Sequence, residues 1–313
     1  MSGPLASVVI VTWNGREWLE RCLPAVEAQR GVRFETIVVD NGSIDGTAEL
    51  IDRCFRSVRL IRNRDNRGFA PANNQGIAAA RGQYVATLNN DAIPEPDWLA
   101  ALVDACEADN NLAMAASRMV RLDDPTVFDS AGIAPDRFGF AWNLRAGEKV
   151  PEREAPREVF GACAGAALYR RGMLEDVGLF DERFGSYYED VDLAWRSQLR
   201  GWPGRYIPSA VVRHAHSATG NRLPSAKRFL LARNRLLTVV KNMPWPGLWV
   251  ALLSAPLLDG AAAAGGLLRG DAAGLLGRLA ALRELGIVLH QRRRIQRRAI
   301  VGWNDIVPLL KGR

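Results

Sequence analysis

Two hydrophobic rhythms alternate along the first third of the chain. The β-branched run Ser7-Val-Val-Ile-Val-Thr-Trp13 reads as a buried strand, and Arg16 to Gln29 then carries Trp18, Leu19, Cys22, Leu23 and Val26 at helical spacing. The same strand-then-helix order returns three times: Thr36-Ile-Val-Val-Asp40 before Thr47 to Phe55, Val58 to Ile61 before Ala70 to Ala80, and Tyr84 to Leu88 before Asp97 to Ala108. Four β-α units in succession predict an α/β domain, doubly wound, with a mostly parallel sheet covered on both faces.

Beyond about residue 110 the pattern loosens, broken by Pro125, Pro135, Pro151 and Pro156. A second, smaller and partly antiparallel sheet is expected through Phe160 to Tyr169 and Arg205 to Val212. From Ser225 to Asn242 the spacing predicts a helix with Phe229, Leu230, Leu236, Leu237 and Val240 on its apolar face. The uncharged stretch Asn242 to Leu258 contains Pro244, Pro246 and Pro256 and is closed by Asp259, so no membrane-spanning helix is expected there. A last helix would align Leu275, Leu279, Leu282, Leu285 and Leu289 ahead of Arg292, Arg293, Arg294, Arg297 and Arg298. Such a basic amphipathic segment suits either the surface of an anionic membrane or a solvated face on a packing helix.

Charge sharpens the division. The 313 residues carry 41 Lys and Arg against 34 Asp and Glu, net +7. Residues 221–313 hold 16 basic and 4 acidic side chains, net +12, whereas residues 1–220 are net −5. A nucleic-acid binder would not confine its positive charge in this way, so an anionic partner is expected to meet the second segment only. The four cysteines lie far apart, without the close pairs of zinc or redox sites, and read as small buried residues. The amino terminus shows no basic segment before its apolar run and does not read as a secretory signal, which predicts a cytoplasmic protein.

In doubly wound sheets ligands bind beyond the carboxyl ends of the strands, and here those ends are polar: Thr12 and Asn14, Asp40-Asn-Gly-Ser43, Asn63 to Gly68, and Asn89-Asn90-Asp91. A carboxylate at Asp91 suits a hard divalent cation shared with substrate phosphates, and equally suits a capped turn. Tyr187-Tyr188-Glu189-Asp190-Val191-Asp192 puts three carboxylates within four positions. They read either as a general base with a raised pKa or as the acidic first turn of a helix. His214 and His216, alternate residues after the strand Tyr206 to Val212, are metal ligands or merely polar strand-end residues. A Gly-rich dinucleotide loop, a Walker lysine and a Gly-x-Ser-x-Gly elbow are all absent from the sequence, which argues against dehydrogenases, P-loop nucleotidases and serine hydrolases.

Together these positions resemble the family 2 glycosyltransferases of GT-A fold, within them the branch of bacterial rhamnosyltransferases. The resemblance runs from Ser7 to Asn242 through Val9-Ile-Val-Thr-Trp-Asn14, Val38 to Thr47, Asn66 to Gly76, Leu88-Asn-Asn-Asp91, Gly161 to Arg171 and Glu189 to Arg196. It implies a catalytic domain over 1–220, with a nucleotide-sugar half to about 110 and an acceptor half after it, and a helical extension over 221–313. Thr12, Asn14, Asp40, Gly68, Phe69, Asn74, Asn89 and Asn90 would then bind the nucleotide sugar. Asp91, standing in the family's Asp-x-Asp motif whose first position is here Asn89, would hold Mg2+ or Mn2+ with His214.

Asp190 would be the catalytic base. Glu189 would face the acceptor, and Arg196 would meet acceptor phosphates or the carboxylate cluster. The implied reaction is an inverting transfer from dTDP-rhamnose, or from a UDP-sugar, to a saccharide or lipid-linked saccharide of the cell surface. The enzyme would be peripheral on the cytoplasmic face of an anionic membrane, bind no nucleic acid, and be compatible with a homo-oligomer. The rival readings are a nucleotidyltransferase, which calls for a Gly-rich basic first loop rather than Thr12-Trp-Asn-Gly-Arg-Glu17, and a non-catalytic nucleotide-sugar-binding scaffold, which would have no need to keep Asp91 with Glu189 and Asp190.

Overall fold

The computed structural model describes residues 3–215 and 224–311, so His216 lies outside the described residues. The first part of the chain runs β1 (Ala6–Thr12), α1 (Arg16–Glu27), β2 (Phe34–Asp40), α2 (Thr47–Cys54), β3 (Arg59–Arg62), α3 (Phe69–Ala79), β4 (Tyr84–Asn89), β5 (Ala92–Pro94) and α4 (Trp98–Ala108). These are the four predicted β-α units, with their ends moved by a residue or two. Next come β6 (Met114–Arg121), β7 (Phe128–Ser130), β8 (Ile133–Pro135), β9 (Ala141–Asn143), β10 (Arg157–Val159), β11 (Ala166–Arg170), α5 (Arg171–Val177), α6 (Glu189–Leu199) and β12 (Gly204–His214). The remainder is helical: α7 (Pro224–Asn242), α8 (Trp245–Leu268), α9 (Ala273–Arg283), α10 (Leu285–Arg298) and α11 (Trp303–Ile306).

The main sheet has the order β10-β12-β6-β11-β4-β1-β2-β3, with β5 on β12 and β7 on β6. From β4 to β3 its strands are parallel, whereas β11 lies antiparallel between β4 and β6. The antiparallel strands expected as a smaller sheet are therefore hydrogen-bonded into the same sheet, because β11 extends the β4 edge directly. The separate sheet among the described residues is the hairpin of β8 and β9.

Alternation along the strands builds two cores. Val9, Ile37 and Val85 face one, with Ile77 of α3, Met173 of α5 and Val191 of α6. Val8, Ile10, Val38 and Leu88 face the other, with Leu19 of α1, Ile51 of α2 and Trp98 of α4. Strand register then aligns the ends: Thr12 lies beside Asp40 and Val11 beside Asn89, so β1, β2 and β4 deliver their polar termini to one edge. Of the cysteines, Cys22 and Cys106 are buried as expected, while Cys54 is exposed; all four are free thiols.

The carboxyl-terminal helices correct two expectations. From Trp245 the stretch is not interrupted, and α8 is one helix of 24 residues, long and apolar enough by length and composition to cross a membrane. Pro244 caps it and Pro246 falls in its first turn, where no backbone N–H is needed, so neither breaks it. Asp259 does not end the helix but pairs with Arg235 of α7 and Arg278 of α9. The helix expected to carry Leu275 to Leu289 is two, α9 and α10, divided at Glu284, whose carboxylate is taken by Arg233 of α7. Arg292, read as part of a surface-basic run, is buried, its guanidinium donating to the carbonyls of Val240 (3.0 Å) and Met243 (2.6 Å). One face of α8 stays uncovered: Trp245, Trp249, Leu253 and Leu257, four residues apart, are all exposed.

Candidate active site

A cavity of about 490 Å3 opens over the carboxyl ends of β1 and β4, and the loops there bring distant carboxylates together. Thr12 and Trp13 come from the end of β1, Asn41 from the end of β2, and Gly68 and Phe69 from the start of α3. Asn89 follows from the end of β4 and Asn90 and Asp91 from the turn after it, Asp129 from β7, Glu189 and Asp190 from α6, and His214 from the end of β12.

His214 reaches Asp91 because β12 pairs antiparallel with β5, which sets His214 opposite Ala92, and the Ala215 N–H bonds the Asp91 carbonyl (3.1 Å). Its Nε2 stands 3.1 Å from Asp91 Oδ1 and 3.2 Å from Asn89 Nδ2; its Nδ1 stands 2.7 Å from Asp129 Oδ2. Burial opposes a charge on this imidazole, but the hydrogen bonds and negative charges of Asp129 and Asp91 outweigh it and raise the pKa to about 9. Asp129 escaped the sequence reading. It lies 85 positions from its partner, within an irregular stretch, and no spacing signal marks it. Its contact has the form of a carboxylate that orients a metal-binding histidine, leaving Nε2 toward the cavity. No group of three or more His, Cys, Asp or Glu side chains set to hold a metal exists among the described residues. A cation that keeps its waters and substrate oxygens needs only one or two protein ligands, so Asp91 and His214 fit that demand.

Across the cavity, α6 begins after a turn in which Tyr187 (φ 68°) and Tyr188 (φ 69°) are both left-handed, a costly conformation for residues with a Cβ. Asn234 of α7, fully buried, holds this turn: its amide donates to the carbonyls of Phe184 (2.9 Å), Ser186 (3.0 Å) and Tyr187 (2.8 Å). Gly68 touches the same loop, and a Cβ there would come to 3.1 Å from the Gly185 carbonyl oxygen. Asp190 is aimed by two backbone amides, Val191 N to Oδ1 (2.8 Å) and Ala164 N to Oδ2 (3.2 Å). Its burial raises its pKa, and the two amides only partly offset that rise. Glu189 is raised further, by burial and by the negative charge of Asp190, and its Oε2 makes no hydrogen bond.

Asp192 points the other way, into a closed ion network with Lys241 (2.7 Å), Arg196 (2.9 Å) and Asn242 (2.8 Å). Burial would raise its pKa, but the charges of Lys241 and Arg196 reverse that and hold it below the usual range.

Four expected site residues do not border the cavity. Of the two roles open to Arg196, the structure realises the bond to the carboxylate cluster: four positions after Asp192 it shares that buried face, and its remaining N–H groups go to the carbonyls of Val177, Gly178 and Leu179. Asn74 faces the packed side of α3, bonding the Phe180 carbonyl (2.9 Å) and Glu182 Oε1 (3.1 Å). Asn14 (φ 48°) accepts from Ile44 N, and Asp40 accepts from Ser43 N, so both brace the loop after β2. Asn90 borders the cavity but spends its amide on Thr12 Oγ1 (2.9 Å).

Acidic and amide side chains gathered over the carboxyl edge of a doubly wound sheet, with antiparallel strands flanking it, define the GT-A class of fold. Solved structures share it. GalNAc-T7 with UDP, GalNAc and Mn2+ aligns at TM-score 0.61 and 18% identity over 77% of this chain and 48% of its own. Mannosyltransferase PcManGT from Pyrobaculum calidifontis, in complex with GDP-Man and Mn2+, aligns at 0.54 and 21% over 97% and 89%. The sequence model described as Glycosyl transferase family 2 matches residues 7–178, more than half the chain, and the chain belongs to that family. N-acetylglucosaminyl-diphospho-decaprenol L-rhamnosyltransferase of Mycobacterium tuberculosis is 30% identical over 245 residues, 70% of this chain and 78% of that one. The Pre-mycofactocin glycosyltransferase of the same species is 32% identical over 228 residues, covering 69% of this chain and 44% of that one.

Proposed function

We propose that the protein transfers L-rhamnose, with inversion, from a dTDP-linked donor to a hydroxyl of a lipid-linked saccharide in cell-surface polysaccharide synthesis. A UDP-sugar is the second choice of donor. The observation that carries this reading is that the Asp190 carboxylate and the Asp91–His214 pair border one cavity. The rhamnosyltransferase named above supports the choice of sugar and of acceptor.

Inversion needs a base on the face of the sugar opposite the leaving group. Asp190, locked by two amides and made more basic by burial, takes the proton of the acceptor hydroxyl as the new bond forms. Glu189, kept protonated to a higher pH than a free carboxylate, donates a hydrogen bond to the acceptor. Thr12, Asn41, Gly68 and Phe69 wall the nucleotide side. Bound to Asp91 and His214, Mg2+ or Mn2+ would neutralise charge developing on the departing diphosphate; the GT-A neighbours solved with Mn2+ support a divalent ion. We further read residues 224–311 as a docking extension, with the exposed face of α8 lying along an anionic membrane on its cytoplasmic side. The ion pairs that tie Asp259 to α7 and α9 favour a helix held against the protein over one that leaves it to span a bilayer.

Asp190→Asn tests the central role. Transfer should fall by about a thousandfold, while donor affinity, measured calorimetrically with Mn2+, stays within about twofold because the amide keeps the side chain's size. Near-normal turnover by this variant would refute the assignment.

A further inference from the structure

Behind the catalytic cleft lies a second cavity of about 610 Å3, and Ala141, Trp142, Tyr188 and Leu231 line both. It is walled by α7, α8 and α9, beyond the part of the chain that the family model matches. One side is small and apolar, formed by Ala232, Ala262, Ala263 and Leu275. The rest is cationic. Arg228, Arg235, Arg269 and Arg278 all border it, against one lining carboxylate among the described residues, Asp271, paired with Arg228; Asp259, which Arg235 and Arg278 share, does not line it. Two positive charges are thus left over in a recess whose other surface is apolar. The helix that forms this wall, α8, also carries the uncovered face of Trp249, Leu253 and Leu257.

A ligand complementary to such a recess has an anionic head and an apolar tail, and to share walls with the Asp190 cleft it must be joined to a reacting group. We propose that this cavity binds the diphosphate and the first isoprene units of a polyprenyl-diphosphate-linked acceptor, presenting its saccharide to Asp190. The inference rests on the glycosyl-transfer reading above and adds to it a place for the lipid tether. Bidentate guanidinium contacts suit the diphosphate oxygens, and the apolar side of the recess suits the start of the isoprenoid chain.

The test uses the full-length protein with Arg269→Glu, at an exposed position that reverses one of the charges, and Ala263→Phe, which fills the recess. Neither position borders the catalytic cleft. Farnesyl diphosphate should bind the wild type and bind each variant about tenfold or more weakly, the loss of roughly one charge-assisted contact. Farnesol and inorganic diphosphate alone should bind the wild type less well than the two joined. With a lipid-linked acceptor the variants should show a raised KM. With a saccharide acceptor lacking diphosphate they should match the wild type.

Equal binding of farnesyl diphosphate by wild type and by variants with unchanged melting temperature would overturn the proposal. So would farnesol binding as tightly as its diphosphate, or displacement of farnesyl diphosphate by an anionic phospholipid at equal concentration, which would make the recess a lipid-headgroup site. A wild type that binds farnesyl diphosphate but no nucleotide sugar would instead count against the transferase reading and leave this cavity's ligand standing.

Discussion

Replacing Asn234 should disable the enzyme from outside its cleft. The residue belongs to α7, yet its amide is shared among three carbonyls of the turn that leads into α6. Phe184 O also accepts from Ser186 N, so in Asn234→Leu at least one acceptor keeps a partner, while the carbonyls of Ser186 and Tyr187 lose the amide. A buried polar group left without its hydrogen bond costs about 1–3 kcal/mol, so stability should fall by roughly 2–5 kcal/mol. The turn also holds two tyrosines at left-handed φ, and a strained conformation of this kind persists only while its surroundings impose it. Freed of Asn234, the turn should relax toward ordinary backbone and take Glu189 and Asp190 out of alignment.

Urea unfolding measures the first effect; kcat set against donor affinity measures the second. We expect kcat to drop at least about tenfold while donor affinity falls by less, because Gly68 and Phe69 touch this turn but Thr12 and Asn41 belong to the ends of β1 and β2. Asn234→Asp should be no better, since it directs a carboxylate at three carbonyl oxygens. A Leu variant that unfolds at the wild-type urea concentration and turns over normally would refute the claim that α7 holds the catalytic turn.

Other outcomes follow from the same geometry. Asp192 has a folded-state pKa below its unfolded value of about 3.9, so its contribution to stability is complete above that value and is lost as pH falls through the folded pKa. Between pH 5 and pH 3 the urea midpoint should therefore fall more steeply for the wild type than for Asp192→Asn; equal slopes would contradict the network. Lys241→Met should destabilise by about 3–5 kcal/mol by stripping a buried carboxylate of one cation, and full stability at pH 7 would speak against it. Asp129→Asn should weaken Mn2+ binding in the presence of donor nucleotide by about 10–100-fold through loss of the oriented His214, and an unaltered Mn2+ titration would remove Asp129 from the site. Leu253→Glu with Leu257→Glu should abolish flotation with phosphatidylglycerol vesicles without changing the melting temperature, because both side chains are exposed; undiminished flotation would rule out the α8 face as the docking surface.

How much of this was legible in the sequence depended on how far each interaction reaches. The β-α units were read almost residue by residue, since strand and helix rhythms are local and each amphipathic face announces its own burial. That Asp91, Asp190 and His214 border one cavity was implied by the family resemblance, whereas their own spacing left Asp91 open to turn capping, Asp190 to the acidic first turn of a helix and His214 to a polar strand end. Residues inside helices were harder. Asn74 and Arg196 share motifs with site residues, but a helix turns its faces every few positions, so neighbours in sequence can look in opposite directions. Asp129 and Asn234 lay beyond reach for another reason: their roles consist entirely of contacts across 85 and about 50 positions, and neither leaves a periodic trace.

That last class changes how the charge division near residue 220 should be understood. The abrupt rise in positive charge marks a boundary in composition, but α7 crosses it energetically. Its Lys241 neutralises Asp192 and Asp181, its Asn242 completes the cage of Asp192, and its Asn234 shapes the turn before Asp190. A carboxylate as deeply buried as Asp192 cannot remain ionised without such partners, so a chain that stopped at the boundary would leave Asp192 with Arg196 as its cation and without Lys241 and Asn242, under the helix that carries Asp190. Some of the basic residues beyond it are therefore structural cations for the acidic half, and only exposed ones such as Arg283, Arg293 and Arg294 of α9 and α10 are left to meet an anionic surface.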